Sequence, residues 1–280
     1  MQKIVYVPDG EEESNALKRT THLAIAAHQD DIEFMAYAPI SECYESKTEY
    51  FCAVVVSDGA GSPRAGVYAN YSDDEMKKVR IVEQKKAANI GKYGALLMLS
   101  HPSSQIKNPS DREIVEELIE IILKTRPRFI YTHNIADKHA THVGVAVKVL
   151  AALRELSPQN RPEKVYGCEV WRGLDWLSDK DKILLDTSKM PELAMALSGV
   201  FDSQIAGGKR YDLACEGRRL ANATFSESHS VDAYSSLNYA MDLTPLMLDK
   251  SLSVVDFIRE YIKKLETEVC DNLLLLTKEK

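Results

Sequence analysis

The chain has 280 residues, 45% of them hydrophobic and 28% charged, with a formal net charge of −7. That is ample for one large core, and the acidic balance argues against a nucleic-acid partner, which favours a basic face. No apolar run reaches the roughly 18 residues that cross a bilayer. The opening MQKIVYVPDGEEES lacks the apolar centre of a signal peptide. Cys43, Cys52, Cys168, Cys215 and Cys270 are odd in number and scattered. They predict neither a disulfide framework nor a structural zinc, and a cytoplasmic location is the simplest reading.

Taken in chain order, residues 23–27 read as a short buried strand and 50–56 (YFCAVVV) as a second. A loop of about fifteen residues follows, Ser57 to Tyr71, and loops of that length are often functional. Residues 73–90 read as a helix, with Asp73, Asp74 and Glu75 at its positive end and Gly91 at its exit. A third strand is expected at 95–99, a helix at 111–125 capped by Asp111 or Ser110, and a fourth strand at 128–132. A helix from about 142 to 155 and a strand at 164–170 complete the series. This alternation predicts an α/β fold, a mostly parallel sheet with helices on both faces. The last third reads differently: helices at 190–199, 207–222 and 247–267, without alternating strands. It is expected to wrap the sheet or build a homo-oligomer contact, and the four leucines of DNLLLLTKEK are expected to dock. One domain, 1–280, is predicted, with a core at 1–170 and a mostly helical extension at 171–280.

Two polar clusters follow apolar strands. His28-Gln29-Asp30-Asp31 comes after the strand at 23–27, and His139-Ala140-Thr141-His142 after the strand at 128–132 and a polar loop. In parallel sheets, ligands sit beyond the carboxyl ends of the strands, so clusters far apart in sequence can meet there. A catalytic zinc needs about three protein ligands and an open position for water. Two imidazoles and one carboxylate satisfy that, and the remaining carboxylate and imidazole are then free to handle protons. Read alone, Asp30 and Asp31 also suit the first turn of a helix as cap and dipole partners. A lone His-x-x-His is often simply surface.

The motif AHQDDIEF resembles the AHPDD signature of the PIG-L/LmbE-like zinc N-deacetylases, and HNIADKHATH resembles that family's second motif. The likeness covers residues 20–170 well and the C-terminal third loosely. It implies a Rossmann-like fold and one zinc, or another divalent metal, on His28, Asp31 and His142. It also implies Asp30 as the base that activates water and His139 as the oxyanion-stabilising or acid partner, which would then give the pH profile an alkaline limb. The implied substrate is an N-acetyl amino sugar. Two departures stand out. Gln29 replaces the usual proline, which is expected to loosen the turn, and Ala140-Thr141 replace the usual proline and aspartate. Asp137 is a candidate to orient His139 instead.

For the substrate, the loop at 57–71 offers Asp58 and Arg64, and the helix after it offers Arg80, where family members often carry a substrate-facing arginine. Each arginine equally suits a solvated or salt-bridged surface. The stretch GGKRYDLACEGRRLANATFSESHS concentrates cations in an acidic chain. Glycine amides at a helix start with Lys209, Arg210, Arg218 and Arg219 nearby would suit an anion such as a phosphate on the sugar. His229, in a polar loop, is a candidate to reach the site. His22, His101 and His133 have weaker claims, with His133 the nearest to the metal. The rival readings are a binuclear metallophosphoesterase and a non-catalytic α/β ligand-binding domain.

Overall fold

A computed structural model describes residues 3–277. Eight strands form one sheet: β1 (Ile4–Tyr6), β2 (His22–Ala26), β3 (Phe51–Ser57), β4 (Ala95–His101), β5 (Phe129–His133), β6 (Lys164–Cys168), β7 (Ile183–Asp186) and β8 (Leu237–Asp242). Their spatial order is β1-β4-β3-β2-β5-β6-β8-β7. The five central strands are parallel, with Leu23 opposite Cys52 on one side of β2 and Ile130 on the other. Strand β1 runs antiparallel at one edge, and β8 and β7 run antiparallel at the other. The expected α/β architecture is therefore present.

Alternation along the strands builds a core on each face of the sheet. Leu23 and Ile25 of β2 pack with Val54, Val56 and Ile130 on one face. Ala24 and Ala26 pack with Val55, Met98 and Tyr131 on the other. The chain leaves β2 toward β3 and β4, then returns to the far side of β2 for β5 and β6. The carboxyl ends of β2 and β5 thus flank a topological switch point, where a crevice opens between loops leading to opposite sides.

The helix at Asp73–Ile90 begins as expected and is fixed by a capping box between Ser72 and Glu75. The last third departs from the sequence reading. It contributes β7 and β8 as well as helices at Pro191–Ser198, Tyr211–Phe225 and Val254–Thr277. Strand β8, LNYAMD, has no β-branched residue and little alternation, so it carries no strand signal of its own. Strand β1 has only three residues. The four leucines do not dock on this chain: Leu273 to Leu276 are 44–80% exposed at the end of the long helix. No helix among the described residues is long and apolar enough to cross a membrane.

Candidate metal centre and active site

The first cluster lies in the turn between β2 and the helix Asp31–Met35. Asp30 occupies this turn at φ +97°, a conformation L-residues rarely adopt. Its backbone N–H donates to Gln84 Oε1 at 3.2 Å, and its carboxylate pairs with Arg80 at 2.9 Å. The second cluster follows β5. His139 is the N-cap of the helix Ala140–Glu155, and His142 lies within its first turn.

These two turns bring three ligand atoms to one point. His28 Nδ1 lies 3.0 Å from Asp31 Oδ2 and 3.1 Å from His142 Nε2, and His142 Nε2 lies 3.3 Å from Asp31 Oδ2. Donors held tetrahedrally at about 2.0–2.2 Å from a zinc stand roughly 3.3–3.6 Å from one another. The triangle is slightly tight for that, and its chemistry, two imidazole nitrogens and one carboxylate, fits a divalent cation. Asp31 is also gripped by the His28 N–H at 2.7 Å, so its carboxylate cannot swing away. His139 reaches the same group, its ligand atom lying within 4.8 Å of those of His28 and His142.

His133 lies against this cluster but is already committed. Its Nε2 accepts the Ala27 N–H at 2.9 Å, and its ring stacks on His142 with centroids 3.9 Å apart. With that lone pair taken, the ring serves as a wall that orients His142.

Asp137 ties the second cluster together. One oxygen accepts the His139 N–H at 2.8 Å, while the other lies 3.5 Å from His142 Nδ1 and accepts the Trp171 N–H at 3.1 Å. The ring it orients is therefore that of His142, and of His139 it holds only the backbone. The cause is the cap position: the His139 N–H points back into the loop while the His142 ring, one turn on, faces it.

Electrostatics separate the roles. Burial opposes charge on His142, but Asp31 and Asp137 outweigh it and push its pKa up to about 9. Burial likewise opposes ionisation of Asp31, yet His142 and His28 hold it well below the usual carboxylate range. The field that retains a proton on His142 suits a cation in its place. Asp30 differs: burial raises its pKa to about 6, against the pull of Arg80 and with the push of Asp31. Burial, His142 and His28 push His139 down to about 4, so its ring is neutral near pH 7. A neutral ring can donate a hydrogen bond, but it does not supply the alkaline limb expected from a protonated His139.

A cavity of 410 Å³ opens over these groups, lined by His28, Asp30, Asp31 and His139 on one side. Asp58 lines it too, paired with Lys77 at 3.1 Å. Arg80 reaches it but is 1% exposed and largely spent on Asp30, Glu83 and the Gln29 carbonyl. Arg64 lies outside the lining, bonded to Asp73 at 2.5 Å and to the Ala60 carbonyl at 2.9 Å. His229 is exposed in a loop away from the lining, its N–H donating to Glu227 at 3.2 Å. His22 bonds Tyr131 at 3.1 Å at the opposite end of β2, and His101 bonds Glu117 at 2.6 Å.

Gln29 does not loosen its turn. It is 1% exposed and donates to the Ser57 carbonyl at 3.3 Å. Gly59, at φ +75°, faces it so closely that a Cβ there would lie 2.7 Å from Gln29 Oε1. The turn after β2 and the loop after β3 are thereby wedged together.

The opposite wall is built from residues the sequence reading did not single out. Trp171 stands 6.0 Å from the His139 ring and 5.9 Å from Tyr211, which in turn packs 5.7 Å from Phe34. Trp171 lies three residues past the end of β6, so the rule that sites form at strand carboxyl ends was the signal for it. Tyr211 sits on a helix that nothing in the strand pattern places there.

Comparison with known proteins bears on this arrangement. Residues 23–153 match the family model described as PIG-L, GlcNAc-PI de-N-acetylase. Comparison with curated proteins gives no match. Among solved structures, N,N'-diacetylchitobiose deacetylase from Pyrococcus horikoshii is similar with a TM-score of 0.66 at 14% identity, over 89% of this chain and 93% of that one. The A40926 pseudoaglycone deacetylase is similar at 0.59 and 15% identity, over 80% and 97%. So is 4-carboxy-2-hydroxymuconate hydratase from Pseudomonas putida, at 0.59 and 17% identity over 80% and 95%. At such identities the likeness to these structures is one of fold. The family match spans both polar clusters, and residues 23–153 of this chain are similar to the PIG-L family over that length.

Proposed function

We propose that the chain is a metal-dependent N-deacetylase. It hydrolyses the acetamide of an N-acetyl amino sugar or its conjugate, releasing acetate and the free amine. The observation that carries this reading is the convergence of His28 Nδ1, Asp31 Oδ2 and His142 Nε2 within 3.0–3.3 Å of one another, with Asp30 beside them. The fold alone does not carry it, since a neighbour of the same fold is a hydratase. A zinc held there would polarise the amide carbonyl and make water acidic near neutral pH.

The chain's own residues do the rest. Asp30 takes the proton of the attacking water, its carboxylate aimed by Arg80 and its backbone held by Gln84. It must be ionised to do so, which its pKa of about 6 permits at neutral pH. His139, neutral, donates a hydrogen bond to the oxygen on which charge develops. Trp171 and Tyr211 offer faces for the sugar ring.

The reading treats residues 1–280 as one domain. Bonds from Arg219 to the Glu33 and Phe34 carbonyls, at 2.8 and 3.1 Å, join the C-terminal third to the helix that carries Asp31. It retains the expected homo-oligomer and a cytoplasmic location, checked by light scattering and cell fractionation. The test of function is acetate release from a panel of N-acetyl amino sugars, before and after chelation and with zinc restored. Release that disappears on chelation and returns with zinc supports the reading. Absence of release from the zinc-loaded protein across the panel rejects it.

A further inference from the structure

The longest helix, Val254–Thr277, has 24 residues and is about 36 Å long. Its first turns lie on the body of the chain: Phe257 is buried, and Ile258 and Tyr261 pack half-buried against the core of one sheet face. From Glu266 to Thr277 every residue is exposed. Twelve residues without tertiary packing are too few to hold a helix in water, and Thr267, Val269, Cys270, Asp271 and Asn272 are weak helix formers. Such an overhang gains its stability from packing.

The exposed face of this helix has a regular pattern. Val255, Ile262, Val269 and Leu276 recur every seven residues, and each is 48–80% exposed. Arg259, Glu266 and Leu273 fall between them, so the spacing alternates four and three along three heptads. That is the spacing of a seam between paired helices, in which polar positions set the alignment. The two polar positions carry opposite charge and lie in different halves of the helix. Arg259 reaches only Asp256 on its own exposed turn, a weak pairing, and Glu266 has no cation within ion-pair distance among the described residues. Residues 266–277 carry Glu266, Glu268 and Asp271 and no cation, which does not suit an anionic lipid surface.

We propose that this face pairs with the same face of a second copy of the chain, the two helices antiparallel and centred near Ile262 to Lys264. In that alignment Arg259 of each copy comes within a turn of Glu266 of the other, and Val255 meets the stretch from Val269 to Leu273. A parallel pair would set Arg259 against Arg259 and Glu266 against Glu266, which like charges oppose. It would also leave the leucines at 273–276 beyond both bodies. The antiparallel pair carries them back to the root of the second helix, where Leu248 and Val255 are 60% and 55% exposed. The expected homo-oligomer thereby acquires a surface and an orientation. No residue of this helix lines the cavity over the metal ligands, so the pairing stands apart from the deacetylase reading.

Sedimentation velocity on the full chain, over about 1–100 µM, reads the association. Val269→Lys, at an exposed position, should weaken it about ten-fold or more. Glu266→Arg should do the same by setting like charges together. The double exchange, Arg259→Glu with Glu266→Arg, should restore it to within about three-fold, since the facing charges are again opposite. Circular dichroism checks that each variant is folded. Orientation is read by disulfide formation in a Cys270→Ser background. Ile262→Cys should cross-link to itself, and Val255→Cys only when mixed with Val269→Cys or Leu273→Cys. Val255→Cys that cross-links to itself means a parallel pair and overturns the proposal. So does a monomer throughout the concentration range, an association indifferent to Val269→Lys, or a loss in Glu266→Arg that the double exchange leaves in place. Co-sedimentation of the monomer with phosphatidylcholine vesicles, abolished by Val269→Lys, assigns the face to lipid and equally overturns it.

Discussion

The two sides of the cavity are built in opposite ways. On the metal side the carboxylates are all held: Asp31 accepts from His28 and faces His142, Asp137 holds the His139 backbone and faces the His142 ring, and Asp30 is clamped by Arg80 and Gln84. On the Trp171 side donors are left over on Lys209 and Lys107. A surface whose carboxylates are held in place is pre-organised for chemistry, because they need not rearrange when charge develops. A surface with unspent donors is organised for binding. The difference separates what sets the rate from what chooses the substrate.

That separation can be broken or sharpened by four substitutions. The largest effect is expected from Asp30→Ala, which should lower kcat by roughly 100- to 10,000-fold while zinc content stays at one per chain. In the unaltered enzyme the rate should fall as pH drops through about 6, since protonated Asp30 cannot accept a proton. A pH–rate profile with no acid limb between pH 5 and 7 would count against Asp30 as the base. Asp137→Asn should weaken zinc affinity by about 10- to 100-fold, as loss of an orienting carboxylate does, measured by competition with a chromophoric chelator. Unchanged affinity would mean His142 is held by stacking on His133 alone.

On the other wall, Trp171→Ala should raise KM by roughly ten-fold, the worth of an aromatic face, with kcat changed far less. A drop in kcat equal to that from Asp30→Ala would erase the proposed division. The smallest effect belongs beneath the site. Burial pushes the Glu33 carboxyl up to about 8, although Tyr93 and Gln84 both donate to it. It is protonated in the fold and ionised when unfolded between pH 4.5 and 8, so stability is lost as pH rises through that window. Glu33→Gln should remove this loss and raise Tm by roughly a few degrees at pH 9, with little change at pH 4. An equal shift at both pH values would assign the effect to packing instead.

The contrast also explains what the amino-acid sequence discloses. The metal side is legible because its ligands sit in two short runs, each just past a buried parallel strand, and the strand pattern at 23–27, 50–56, 95–99, 128–132 and 164–170 places those runs together. The other wall is assembled from Phe34, Trp171 and the helix that carries Tyr211 and Arg218 seven residues apart, three segments that meet only through tertiary packing. Strand β8 escaped notice because LNYAMD carries no β-branched residue and little alternation, although its Asn238 accepts from Arg219 at 3.1 Å. Arg80 illustrates the limit of position: a helix after the 57–71 loop does face the site, but whether its arginine meets the substrate or Asp30 depends on depth, which spacing does not encode.

Arg219 has a consequence for how such proteins are divided and recombined. The helix Asp31–Met35 has only five residues, too few to hold its own shape in water. Its terminal carbonyls are satisfied by a guanidinium that arrives from 185 or more residues downstream. The family likeness ends at residue 153, but the mechanical support of the metal loop does not. A cassette cut at that point and grafted elsewhere would carry the motif and leave behind the clamp that keeps it in register.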